Sequence, residues 1–178
     1  MCIRDSNAIH YENMSIALAE SVANQGQGFI NSMAFGNGGT SVDPTGIITY
    51  LTPNSTGTNA SLYNQTYTKV VDDRSVTNLD PQRNKIETRH VNGTNYTDVL
   101  VTCLLDYGEP NGQDAVDQAS QANSLYVFDE LGLVSYSPSG TGKLLTHVVF
   151  HPVQKSLNRL VQIDYTVRVQ SLTGFNEG

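Results

Sequence analysis

The chain has 178 residues, enough for one domain with a real core and too few for two comfortable ones. Its 17 Asp and Glu outweigh 10 Lys and Arg, for a formal net charge of −7, so its surface repels the phosphates of nucleic acids and of anionic membranes. No apolar run approaches the ~18 residues of a membrane-crossing helix, and fifteen glycines without one tryptophan indicate many turns between short strands.

The first six residues, MCIRDS, match the translation of a transposon-end sequencing adapter and are expected to be non-native. The true start would then lie upstream, and residues 7–178 would form a single structural domain with a helical segment at 11–35 and a β domain at 36–170. Removing Cys2 leaves Cys103 alone within VLVTCLLDY, an apolar strand-like run where a small buried hydrophobe is the simplest reading. No disulfide framework is possible, which suits a reducing cytoplasm.

Ile16, Ala17, Ala19, Val22 and Ala23 recur at helical spacing, predicting a helix over 13–25 capped by Asn13 or Ser15, then a second turn or short helix at Phe29–Met33. Phe35-Gly36-Asn37-Gly38-Gly39-Thr40 follows. A dinucleotide fingerprint would need a third glycine where Ser41 stands and a helix behind it, so the segment reads as a loop. Its glycines are expected to take positive φ and let another segment pass close by. Strands are expected at 47–51, 65–71, 85–91 and 96–105, with Asn92-Gly93 turning between the last two. Asp106 to Asn123 is a polar excursion with one short helix expected near Asp114–Ala119. Strand resumes at Leu125–Phe128. Val161, Ile163, Tyr165, Val167 and Val169 alternate with polar residues, the mark of a half-buried antiparallel strand. The expected fold class is α+β, mainly antiparallel β: an N-terminal helix followed by an antiparallel sheet with long polar loops.

Several patterns invite chemistry. PSGTGKLLTH, residues 138–147, contains Gly142-Lys143, but Leu144 and Ser137 stand where a phosphate loop needs a hydroxyl and a first glycine, so it reads as a hairpin turn. His147 and His151 have a metal-ligand spacing only on a helix; on a strand they lie about 13 Å apart. Asp72-Asp73, Asp129-Glu130 and Glu109 could supply the paired carboxyls of a glycan-cleaving enzyme, although seventeen acidic residues make chance pairs common. Nine tyrosines and the Asn-rich loops leave a carbohydrate-binding module open. Six N-glycosylation patterns, at Asn13, Asn54, Asn59, Asn64, Asn92 and Asn95, follow from the Asn/Thr/Ser-rich composition. No cofactor or metal is expected.

The order Met33-Ala-Phe-Gly-Asn-Gly-Gly-Thr40, then Phe128-Asp-Glu-Leu-Gly-Leu-Val-Ser-Tyr136, Leu144-Leu-Thr-His-Val-Val-Phe-His-Pro152 and Ile163-Asp-Tyr-Thr-Val-Arg-Val169 resembles tailed-bacteriophage virion proteins, in particular tail-fibre and tail-collar attachment domains. The section between Leu105 and Leu125 is longer and more polar than in that pattern, and shaft repeats are absent from the sequence. The resemblance implies a small tail, baseplate or neck subunit assembled in the bacterial host cytoplasm, bound to other virion proteins and to copies of itself, with no catalytic residues. The interaction loops expected on that basis carry Phe35, Gly36, Asn37, Gly38, Gly39, Asn54, Asn59, Glu109 and Asn111. Glycan binding or cleavage are the alternatives.

Overall fold

A computed structural model of the chain describes residues 6–111, 113 and 126–172. In chain order these form β1 (Ser6–Ile9), α1 (Tyr11–Val22), β2 (Ile30–Gly36), β3 (Thr40–Val42), β4 (Ile48–Tyr50), β5 (Gln65–Val70), β6 (Lys85–His90), β7 (Tyr96–Leu105), β8 (Tyr126–Ser135), β9 (Thr146–Lys155) and β10 (Val161–Gln170). A five-stranded sheet runs β1-β9-β8-β2-β5, a three-stranded sheet runs β10-β7-β6, and β3 and β4 make a separate hairpin. Every pairing is antiparallel. The fold is α+β, mainly antiparallel β, with its one described helix near the N-terminus.

The larger sheets share one buried cluster. Met33 and Phe35 of β2 and Phe128 and Leu133 of β8 meet Val101, Cys103 and Leu105 of β7 and Val167 of β10. Phe35 lies 5.2 Å from Phe128 and 6.2 Å from Tyr67, centroid to centroid, both tilted as ring quadrupoles prefer. A second, smaller cluster of Ala34, Leu62 and Leu144 lies under the 60–64 segment.

The expected short helix at Phe29–Met33 is instead the start of β2, a strand inside the larger sheet between β5 and β8. Met33, Ala34 and Phe35 are all buried in succession, because an interior strand covered on both faces carries no polar alternation. The helix begins earlier than expected. His10 caps it, its Nδ1 accepting from Asn13 N at 3.1 Å while Nε2–H donates to Gly57 O at 2.8 Å. Asn13 is buried and gives its Nδ2–H to Leu144 O at 2.9 Å, so it anchors the helix and has no room for a glycan. The buried face is Asn13 and Ala17, whereas Val22 is 87 % exposed.

Other expectations hold. Strands stand at 48–50, 65–70, 85–90 and 96–105, and the 137–142 segment turns with Gly140 at φ +85° and Ser135 N–H donating to Lys143 O. The phosphate-loop pattern is therefore a hairpin turn. The backbone of Ser6 pairs with Val149, so β1 begins at the last residue of the adapter-like stretch. The short helix expected at Asp114–Ala119 lies outside the described residues.

Candidate functional site

The densest polar arrangement joins the glycine-rich loop after β2 to Asp129 and Glu130 on β8. Glu130 is fully buried and saturated. Its Oε1 accepts from Gly38 N at 3.0 Å and Asn64 N at 2.8 Å; its Oε2 accepts from Tyr63 N at 2.9 Å and His147 Nε2 at 2.9 Å. Asp129 takes Gly39 N on Oδ1 at 2.8 Å, with Thr40 N at 3.0 Å and Thr40 Oγ1 at 2.5 Å on Oδ2. A glycine-rich run of backbone N–H groups can cradle an anion. Here the chain's own two carboxylates occupy that cradle.

The glycines are required by closeness and not by handedness. None of Gly36, Gly38 or Gly39 has positive φ, which corrects the sequence expectation. A Cβ on Gly36 would sit 2.5 Å from both Asn64 O and Glu130 Oε1, so the loop can approach the carboxylate only without a side chain.

His147, also fully buried, has its tautomer set by its neighbours. Asn54 N–H points at Nδ1 from 2.7 Å, so Nδ1 accepts, and Nε2 carries the proton donated to Glu130. The Glu130 carboxyl feels burial, which alone would raise its pKa. The His147 and backbone N–H bonds outweigh that and hold it below the ordinary value. Glu130 is thus a buried anion held by four donors beside a neutral imidazole. Neither group is exposed to a substrate.

The structure separates the expected site residues. Phe35 and Gly36 lie buried in β2 and are not loop-surface residues. Asn37 is exposed, its Oδ1 accepting from Asn64 Nδ2 at 2.5 Å, while Gly38 and Gly39 face the carboxylates. Asn54 joins the site through its backbone, and its Nδ2 spans to Ser61 O at 2.8 Å. Asn59 is exposed. Glu109 is paired with Lys69, and Asn111 O accepts from Tyr126 OH at 3.2 Å, both away from the glycine-rich loop's carboxylates. His151 bonds Tyr50 OH at 3.1 Å and does not meet His147's partners. Cys103 is wholly buried, and burial pushes its thiol up to about 12, far from a nucleophile's range. Among the described residues no three His, Cys, Asp or Glu side chains gather as a metal site, and no helix is long and apolar enough to cross a membrane.

Sequence reasoning missed Lys155. Its side chain is fully buried, with Nζ donating to Tyr107 O, Gln113 Oε1 and Ser156 O at 3.2, 3.3 and 3.0 Å. It pins the polar excursion after β7 onto the end of β9. A lysine closing a strand carries no local signal of such burial.

Compared with known proteins, the chain matches no family model, no curated protein and no solved structure.

Proposed function

We propose that the chain is a non-enzymatic structural subunit of a tailed-phage virion, at the tail, baseplate or neck, that works through protein–protein contacts, copies of itself among them. The observation that carries this reading is the union of two of the motifs behind the phage resemblance. Phe-Gly-Asn-Gly-Gly and Phe-Asp-Glu-Leu-Gly-Leu are two halves of one buried connection, Gly38 and Gly39 on one side and Asp129 and Glu130 on the other. Residues that would be acid and base in a hydrolase are spent here on holding a loop to a sheet. That use favours a scaffold over a catalyst.

Immunogold labelling with antibody to the recombinant chain, on virus particles banded from its source, tests the proposal. Label on tails or tail-neck junctions supports it. Particles free of label, together with glycan binding or glycan cleavage by the isolated chain, would replace it with a carbohydrate-directed function.

A further inference from the structure

Strand β10 pairs with β7 along one edge over all ten of its residues, without a bulge, and among the described residues nothing pairs with its other edge. Ser171 N–H donates to Asn95 O, which places the odd-numbered residues of β10 in the hydrogen-bonded positions toward β7. The N–H and C=O groups of Gln162, Asp164, Thr166, Arg168 and Gln170 therefore point outward. A ten-residue edge without proline, lysine or a bulge lacks several of the usual protections against pairing with another chain, and its only charges are Asp164 and Arg168.

The side chains on that edge are self-complementary. In an antiparallel pairing about Thr166, Asp164 opposes Arg168 of the second strand, Arg168 opposes Asp164, and Gln162 opposes Gln170. Within the chain, Arg89 of β6, Asp98 of β7 and Arg168 of β10 already stand opposite one another, and Arg168 grips Asp98 with Nε at 2.8 Å and Nη2 at 3.0 Å. Among the described residues, the Asp164 carboxylate accepts only from Gln162 Nε2. Adding a second β10 would extend the row to Arg89, Asp98, Arg168 and Asp164 of the second copy, alternating in sign throughout. Opposite charges directly across a strand pair favour that register, and a one-residue slip would break it.

The inner face points the same way. A cleft of about 590 Å³ opens between β9 and β10, walled by Val148, Phe150, Val161 and Ile163 and bounded at the β10 edge by Asp164 and Thr166. Val169, on the apolar face of β10, is still 41 % exposed. In the register about Thr166 it would meet Ile163 of the second copy, and the added strand would cover the cleft mouth.

We propose that the free edge of β10 is a self-association surface: two copies of the chain pair antiparallel through β10 about a two-fold axis at Thr166, merging their three-stranded sheets into one. This names a surface for the self-assembly proposed above and rests on that reading. Sedimentation velocity on the full chain, with Cys2→Ser, should show a dimer. Asp164→Arg sets arginine against arginine twice across the axis and should weaken association by about 100-fold or more. An equimolar mixture of Asp164→Arg with the double variant Arg168→Asp/Asp98→Asn should recover the dimer, since across the axis each charge then meets its opposite and Asp98→Asn removes the like-charge contact that Arg168→Asp would make within its own chain. Thr166→Cys gives an independent reading on folded protein: hydrogen-bonded partners stand about 5.5 Å apart at Cα, within disulfide range. Mild oxidation should link the copies through Thr166→Cys and not through Gln162→Cys, whose partner is Gln170. Cys103 is buried and does not compete. A chain monomeric at every concentration would overturn both this surface and self-assembly. Association insensitive to Asp164→Arg, with Thr166→Cys unlinked, would overturn the β10 surface and leave self-assembly standing.

Discussion

Replacing Glu130 by Gln isolates the charge at the centre of the loop-to-sheet connection while preserving its shape. The carboxylate satisfies four donors, Gly38 N and Asn64 N on one oxygen and Tyr63 N and His147 Nε2 on the other. The amide keeps one oxygen for two of them and turns an NH₂ toward the remaining two. His147 cannot repair this by moving its proton to Nδ1, because Asn54 N–H occupies that side. Two bonds to a charged acceptor, at about 1.5–3 kcal/mol each, put the loss at about 3–6 kcal/mol, a large part of a typical domain's stability. Urea unfolding followed by circular dichroism measures it, with Glu87→Gln, on the exposed face of β6, as a control expected to stay within about 1 kcal/mol. The pH dependence has a definite sign. Because the folded Glu130 carboxyl is depressed, its stabilising contribution is fully present above the unfolded value near 4.3 and fades as pH falls through the folded one. Glu130→Gln should flatten that acid limb. A loss under about 1 kcal/mol, or an unchanged acid limb, would refute the picture of a buried anion held by four donors.

Gly36→Ala should lower stability by about 1–3 kcal/mol, since the new methyl meets Asn64 O and Glu130 Oε1 at 2.5 Å; an unchanged thermal midpoint would show that the loop can stand off the sheet. Val167→Asp should cost about 3 kcal/mol or more in urea unfolding and Gln170→Asp little, because only the first enters the core; equal losses would contradict the register of β10. Lys155→Met leaves Tyr107 O, Gln113 Oε1 and Ser156 O without their shared donor. It should make the backbone around Tyr107 more open to limited proteolysis, and an unaltered cleavage pattern would mean that the lysine does not pin that segment. The amides of Gly38, Gly39, Tyr63 and Asn64 should exchange slowly even in isolated monomer, being bonded to buried carboxylates; rapid exchange there would count against the connection.

Slow exchange there would set this loop apart from an ordinary glycine- and asparagine-rich surface loop, because its N–H groups are bonded to buried carboxylates. From the sequence by itself came whatever depends on neighbours in the chain. Val161 to Gln170 alternates because one face of that strand is apolar and the other wet, and Ser137 to Gly142 turns because Gly140 tolerates positive φ. These suffice for the class of fold. The tertiary structure alone decided which strands are interior and what the polar residues do. Met33 to Phe35 has no alternation to read because β5 and β8 flank it and both faces are covered, so the sequence pointed to a turn or short helix ending at Met33 and a loop from Phe35 where a strand stands. Asp129 and Glu130 look the same in sequence whether they cut a glycan or hold a loop. The difference lies in donors distant along the chain, among them Gly38, Gly39 and Thr40, 89 to 92 residues away and brought within 3 Å only when β2 and β8 pair. Burial then fixes the outcome, because an anion removed from water persists only where enough N–H groups replace its hydration.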